Sequence, residues 1–334
     1  MQCKTITQSD YLTVSKVILA YPERFYNCYD NLLSFYDELI SLIPNDIITF
    51  LVCNNNQTFD KLKHKFPDKK IEVLVIKGWD ELWMRDCIGI INGCKIIKPE
   101  YHPNYCNQNL TSYYTKINKL SRQIIKECLK KEIEDIPLRF EGGNFVSNDK
   151  YAFITDKILD DNGLKSENQI KNIIQEAIGL IPIFIRSNRN DAIGHTDGYI
   201  NFIDNNRVLI ANYPSFPFVK DDIDFLNELD SELAAVGVNR ITFYDRPVSE
   251  IAVDNNTNPN SKPIYSARGN YINFLQLNKT IILPEYTLPT KRETNYYNRI
   301  NQEILENEGF DVLRINCDLL SKFGGVLHCI SFTY

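Results

Sequence analysis

Apolar positions recur along the chain in two alternating rhythms. Leu32, Phe35, Tyr36, Leu39 and Ile40 keep the three-to-four spacing of a buried helix face, and Pro44 stops it. The apolar run from Ile47 to Cys53 then reads as a buried strand, and Ile71 to Ile76 as a second. Ile117, Leu120, Ile124 and Cys128 form the next helical stripe. Further helices are predicted over 167–178, 222–236 and 293–308, each followed at once by a glycine: Gly179, Gly237 and Gly309. The residue after a helix often turns left-handed, which glycine does without a Cβ penalty.

Between the helices lie short hairpins that resemble one another. Tyr199-Ile200-Asn201-Phe202 recurs as Tyr271-Ile272-Asn273-Phe274, with Asn206-Arg207 and Asn278-Lys279 seven residues after each Tyr. Pro284-Glu285-Tyr286 echoes Pro99-Glu100-Tyr101, which ends a hairpin over 88–97. A fourth hairpin fits 144–155, turning near Asn148-Asp149. The unit is hairpin, helix, strand, at a spacing of roughly 55 to 70 residues, and such self-similarity signals a repeat architecture. Leu327 to Phe332 reads as a first hairpin strand with no successor, and Val17 to Tyr21 as a second with no predecessor. Pairing them completes a fifth unit and removes an exposed edge. The expected fold is α/β: a five-bladed, pseudo-symmetric α/β propeller, one domain over 1–334, closed by its N- and C-terminal strands. The competing reading is an open α/β sheet.

Composition narrows the function classes. The chain has 334 residues, 24% of them charged, with a net charge of -6 and no basic run, so no nucleic-acid partner is expected. Nine scattered cysteines with no Cys-x-x-Cys pair speak against a disulfide framework or a zinc ribbon, and most are expected to be reduced and buried. A polar start and the lack of any apolar stretch near ~20 residues give the expectation of a soluble, cytoplasmic protein with no membrane partner. Homo-oligomerisation stays open.

The unusual polar residues fall at the entrances of the hairpins, which a ring would bring together at its axis. Asp86 ends Trp83-Met84-Arg85-Asp86 and could hold a cation, or simply pair with an arginine at the surface. Glu141 opens Glu141-Gly142-Gly143-Asn144, where two glycines admit a close ligand or merely form a turn. His195 and Asp197 sit two apart between Gly194 and Gly198, facing one way if the chain is extended there, and His is a natural proton shuttle. Cys329 closes Gly324-Gly325-Val326-Leu327-His328-Cys329 and is either a nucleophile or a buried strand cysteine.

These four motifs, in this order, resemble the agmatine deiminase and bacterial-type peptidylarginine deiminase family of the guanidine-modifying superfamily. They span positions 83 to 329. The resemblance implies the pentein fold, which is the five-bladed propeller reached above, and a small cationic guanidino substrate. It implies that Asp86 and Asp197 grip the guanidinium, that Glu141 helps bind it and orients His195, and that Trp83 shapes the pocket. Cys329 is then the nucleophile and His195 the acid/base, with no metal and no cofactor required. Three departures from the family pattern stand out: Val17-Ile18-Leu19-Ala20-Tyr21-Pro22 lacks the tryptophans usual near the start, Cys87-Ile88-Gly89 replaces x-Gly-Pro, and Glu81 stands where an Asp is usual. They touch the substrate tail rather than the central set.

The expected reaction is hydrolysis of agmatine to N-carbamoylputrescine and ammonia, a step of polyamine (putrescine) biosynthesis. The alternatives are deimination of arginine or peptidylarginine, amidino transfer from the same intermediate, and a silent propeller that only binds. An arginine-specific site needs a positive partner for the α-carboxylate; Arg268, and next Arg189, are the candidates, and either could equally be a surface residue.

Overall fold

The computed structural model describes residues 9–22, 32–106, 110–253 and 262–334. Its first sheet holds β1 (Lys16–Ala20), β2 (Ile48–Cys53) and β3 (Ile71–Val75), with helices α1 (Leu32–Leu42) and α2 (Asn56–Lys65) as the parallel crossovers. The second follows the short helix α3 (Met84–Ile88) and comprises β4 (Ile90–Asn92), β5 (Lys95–Glu100), helix α4 (Thr111–Ile124) and β6 (Glu132–Arg139). The third comprises β7 (Val146–Ser147), β8 (Tyr151–Thr155), helices α5 (Lys157–Asp161) and α6 (Glu167–Ile178), and β9 (Ile181–Ile185). The fourth comprises β10 (Ile200–Phe202), β11 (Arg207–Asn212), helix α7 (Lys220–Val236) and β12 (Asn239–Tyr244). The fifth comprises β13 (Leu275–Leu277), β14 (Thr280–Glu285), helix α8 (Lys291–Asn307) and β15 (Asp311–Asn316). Last comes β16 (Ser331–Thr333).

Four sheets share one order: an antiparallel hairpin, then a parallel strand beyond the helix. The first sheet follows the same plan only because β16 supplies its missing hairpin strand. Val17 pairs with Thr333, Ile18 with Phe332 and Leu19 with Ser331, antiparallel. The expected joining of the termini is therefore present, and the blades form the five-unit α/β ring. Asn278, at φ 61 in the β13–β14 turn, ties the same junction down. Its side chain accepts from Val14 N at 2.8 Å and donates to Val14 O at 2.9 Å. No described helix is long and apolar enough to cross a membrane.

The predicted helices are present, and Gly179 and Gly237 cap theirs at φ 83 and 85, as the glycine signal implies. The corrections fall at the blade entrances. The strand expected from Leu327 begins only at Ser331, because Ile330 N bonds back to Val326 O and Ser331 N to His328 O in a tight turn. Ile88 belongs to α3 rather than to the first hairpin, and Tyr271 to Asn273 precede β13. Thr196–Gly198 is a 3₁₀ turn, not extended chain. A strand would send successive side chains to opposite faces; here the turn places His195 and Asp197 at the cavity while Thr196 bonds Asn144.

Closure gives a prediction. Phe332 is 2% exposed and seals the β1–β16 seam. Phe332→Ala is expected to cost roughly 3–5 kcal/mol in urea unfolding. Leu164→Ala, at a fully exposed position, should stay within about 0.5 kcal/mol.

Candidate active site

The entrance turns of successive blades are laced together around the axis. Arg85 N donates to Cys329 O at 3.2 Å, and Gly143 N donates to Asp86 Oδ1 at 2.8 Å. Thr196 Oγ1 reaches Asn144 Oδ1 at 2.9 Å. Asn273 Nδ2 donates to Asp197 O at 3.2 Å, and His328 N to Asn273 O at 3.2 Å. Each blade thus holds the next by hydrogen bonds at the entrance, and the circuit returns to its start.

This circuit brings Asp86, His195, Asp197 and Cys329 to one cavity of about 520 Å³, also lined by Trp83 and Arg268, with Glu141 bonded to His195 but not itself part of the lining. His195 Nε2 lies 2.8 Å from Glu141 Oε2, and its Nδ1 is 3.6 Å from Asp86 Oδ1. Cys329 Sγ lies 4.0 Å from Asp197 Oδ2 and 3.3 Å from Asn273 Oδ1. Gly143 admits this crowding: a Cβ there would fall 2.6 Å from His195 Nδ1 and 2.7 Å from Asp86 Oδ1. Gly325 does the same for Trp83, whose ring would meet a Cβ at 2.4 Å.

Burial sets the charges. It drives the Asp86 carboxyl up to about 6, against the pull of the nearby His195. Burial also opposes charge on Glu141, but Lys157 and His195 hold it down to about 2. His195 pays the same desolvation, yet Asp86 and Glu141 lift it to about 9. Burial, Asp197 and Asp86 together push the Cys329 thiol well above its ordinary value. The resting site therefore combines a neutral thiol and an imidazolium with a lining that holds more carboxylates than cations among the described residues.

Several participants were not singled out from the sequence. Lys157 is buried at the start of α5, with Nζ 3.0 Å from Glu141 Oε1 and 2.6 Å from Asp161 Oδ2. Tyr105 OH donates to Glu141 Oε2 at 2.9 Å. Asn273 fills the fifth blade's place at the axis; it lay inside the repeated Tyr-Ile-Asn-Phe segment, a signal that went unused. Glu81, pushed by burial up to about 7, accepts from the Leu82 and Trp83 amides at 2.9 and 3.2 Å and so shapes the Trp83 turn. Arg268 lines the cavity but faces Glu250 at 3.3 Å and Asp318 at 3.9 Å. Arg189 is exposed beside Asp156, off the cavity. Cys53, Cys87, Cys128 and Cys317 are buried free thiols, Cys106 and Cys329 partly exposed ones, and Cys94 is disulfide-bonded, outside the expectation of reduced cysteines. Among the described residues no group of three or more His, Cys, Asp or Glu could hold a metal ion.

A match to the Porphyromonas-type peptidyl-arginine deiminase family runs over residues 8–334. No curated protein matches the chain. Among solved structures, an agmatine deiminase of C. jejuni superposes with a TM-score of 0.77 at 17% identity, covering 100% of this chain and 97% of that one. The agmatine deiminase of Enterococcus faecalis gives 0.76 at 16%, covering 100% and 98%. A dimethylarginine dimethylaminohydrolase gives 0.53 at 12%, covering 96% and 100%. At these identities the likeness concerns the fold.

The raised thiol can be tested without substrate. The rate of Cys329 alkylation by iodoacetamide, followed by peptide mass mapping, is expected to keep climbing with pH past about 8.5, the ordinary cysteine value. Asp197→Asn should move the curve to lower pH. A plateau already reached at neutral pH would contradict this electrostatic picture.

Proposed function

The chain belongs to the Porphyromonas-type peptidyl-arginine deiminase family, hydrolases of carbon–nitrogen bonds in amidines, and we propose that it converts agmatine to N-carbamoylputrescine and ammonia through a covalent intermediate on Cys329. One observation carries the reading: two buried carboxylates, Asp86 and Asp197, face a thiol and an imidazolium across a cavity whose described lining holds more carboxylates than cations and so is short of positive charge. A planar guanidinium supplies that charge and presents paired N–H donors to both carboxylates.

In this reading the substrate assembles its own nucleophile. Binding pairs Asp86 and Asp197, the charges that hold the thiol neutral, and so favours the thiolate. Sulfur attacks the guanidinium carbon, forming a C–S bond and a tetrahedral centre. The thiol's proton goes to solvent as the thiolate forms, and His195, an imidazolium oriented by Glu141, gives its proton to the departing nitrogen and is left neutral. The C–N bond breaks and ammonia leaves, with an amidino-thioether on Cys329. His195 then removes a proton from water as the oxygen adds. The C–S bond breaks, giving the ureido product and the thiol. Lys157 and Tyr105 keep Glu141 ionised and fixed throughout, and Asn273 holds the Cys329 turn.

The cavity lining favours a cationic tail. Asp191, Asp221 and Asp222 belong to it and outnumber Lys262, while Arg268 already faces two carboxylates and is poorly placed to take an α-carboxylate. A second reading, a peptide-borne arginine, is favoured by the half-exposed Phe218 and Tyr265 at the mouth, 5.9 Å apart.

Ammonia release should be measured with agmatine, arginine and a blocked arginine peptide in parallel. Agmatine is expected to be preferred, and Cys329→Ser to lose at least about a thousandfold in kcat. Turnover of the peptide alone would select the second reading; no ammonia from any of the three would overturn deimination. The pH profile of kcat/KM reports the free enzyme. It should fall below about 6, where Asp86 takes up a proton and loses its grip on a cation, and above about 9, where His195 loses the proton it must donate.

A further inference from the structure

His328 precedes the thiol in sequence, yet neither of its nitrogens points at sulfur. Nδ1 is 2.6 Å from Asp197 Oδ2, and Nε2 is 3.2 Å from Asp10 Oδ2. Asp10 is in turn held by Arg85 Nη2 at 3.0 Å and by Thr333 Oγ1 at 3.1 Å, both on its Oδ1. Opposite charges therefore alternate along a chain: Asp197, His328, Asp10, Arg85. Its members come from four places: the fourth-blade entrance, the last turn, the segment before β1, and α3. The chain runs through the seam where the ring closes.

We propose that His328 is a positioning residue: anchored by Asp10, its ring fixes the orientation of Asp197. With Oδ2 engaged by His328, Oδ1 is the Asp197 oxygen left for a guanidinium. An unanchored carboxylate could rotate, and uncompensated charge at Oδ2 would bear directly on the thiol 4.0 Å away. Both imidazole nitrogens are used by carboxylates, so His328 has no free nitrogen for proton transfer to substrate, and its part differs from that of His195.

The charged and titratable groups facing the ring are Asp197, Asp10 and Arg85, with Cys329 next in the chain. Burial and Arg85 disfavour charge on His328, but Asp10 and Asp197 raise it above the ordinary histidine value. Its charge is thus present at low pH and lost as pH rises through that raised value. Removing the Asp10 charge brings the loss to lower pH.

The test has two arms, of which only the kinetic arm rests on the deiminase reading. In the substrate-free arm, the His328 ring is titrated by NMR in the wild type, Asp10→Asn and Asp197→Asn. The expected result is a value above the ordinary one that falls in both variants. In the kinetic arm, His328→Ala should raise KM for agmatine by about ten- to a hundredfold. His328→Asn, whose amide can still donate to Asp197, should recover most of that loss. Asp10→Asn should keep a near-normal KM at low pH and lose affinity at a lower pH than the wild type. A titration at or below the ordinary value, or a wild-type KM in a folded His328→Ala, would overturn the proposal. No turnover by the wild type, together with a raised titration that falls in Asp197→Asn, would overturn the proposed reaction while supporting the Asp197–His328 coupling.

Discussion

The site depends on a closed circuit of hydrogen bonds between blade entrances. Cys329 is held by Arg85 and Asn273, Asp86 by Gly143, Asn144 by Thr196, and Asp197 by Asn273. None of these contacts is local in sequence, and those made by Cys329 require the ring to be shut by β1 and β16. An open sheet would leave Cys329 without Asp86, and Asp197 without His328. The termini matter for chemistry as well as stability: the turn before the last strand carries the thiol to the axis, and the segment before the first carries Asp10.

Closure creates an electrostatic problem that the chemistry exploits. Carboxylates taken out of water are costly unless paired. Glu141 is paired on both oxygens, by Lys157 on one side and by His195 and Tyr105 on the other, and so stays ionised at any ordinary pH. Asp197 is paired on one oxygen by His328. Asp86 has a single amide and a distant edge of His195, and burial lifts it toward neutrality, to about 6. The described lining is left short of positive charge. A guanidinium relieves the shortage, and in doing so removes the charge that kept the thiol protonated. Binding and activation are then one event.

Much of this was legible in the chain. The repeat of hairpin, helix and strand predicted the blades, and the half-hairpins at each end predicted the seam. Asp86, Glu141, His195 and Asp197, and Cys329 were found by their shared place at blade entrances, where the structure brings them together. What stayed hidden was the support. Lys157 at the head of a short helix looks like any surface lysine, since nothing local reveals that Glu141 and Asp161 bury it. Tyr105 lies in an irregular connection with no periodicity to mark it. Asn273 was visible as a repeat residue, but asparagine in a repeat suggests a turn before it suggests a clamp on a thiol. Asp10 and Arg85 meet only across the seam, at a sequence distance that no local pattern encodes. The strand boundaries were misread for a related reason: alternating apolar residues look like strand, while the demand to aim a side chain at the axis bends the chain into a turn.

The central claim is that sulfur of Cys329 becomes bonded to the guanidinium carbon. Acid quenching during steady-state turnover of agmatine, followed by mass analysis of the peptide containing Cys329, tests it directly. The account predicts a peptide heavier by the substrate less ammonia, formed and lost at rates matching product release. Sustained ammonia release with Cys329 unmodified, and undiminished when Cys329 is replaced by alanine, would contradict it.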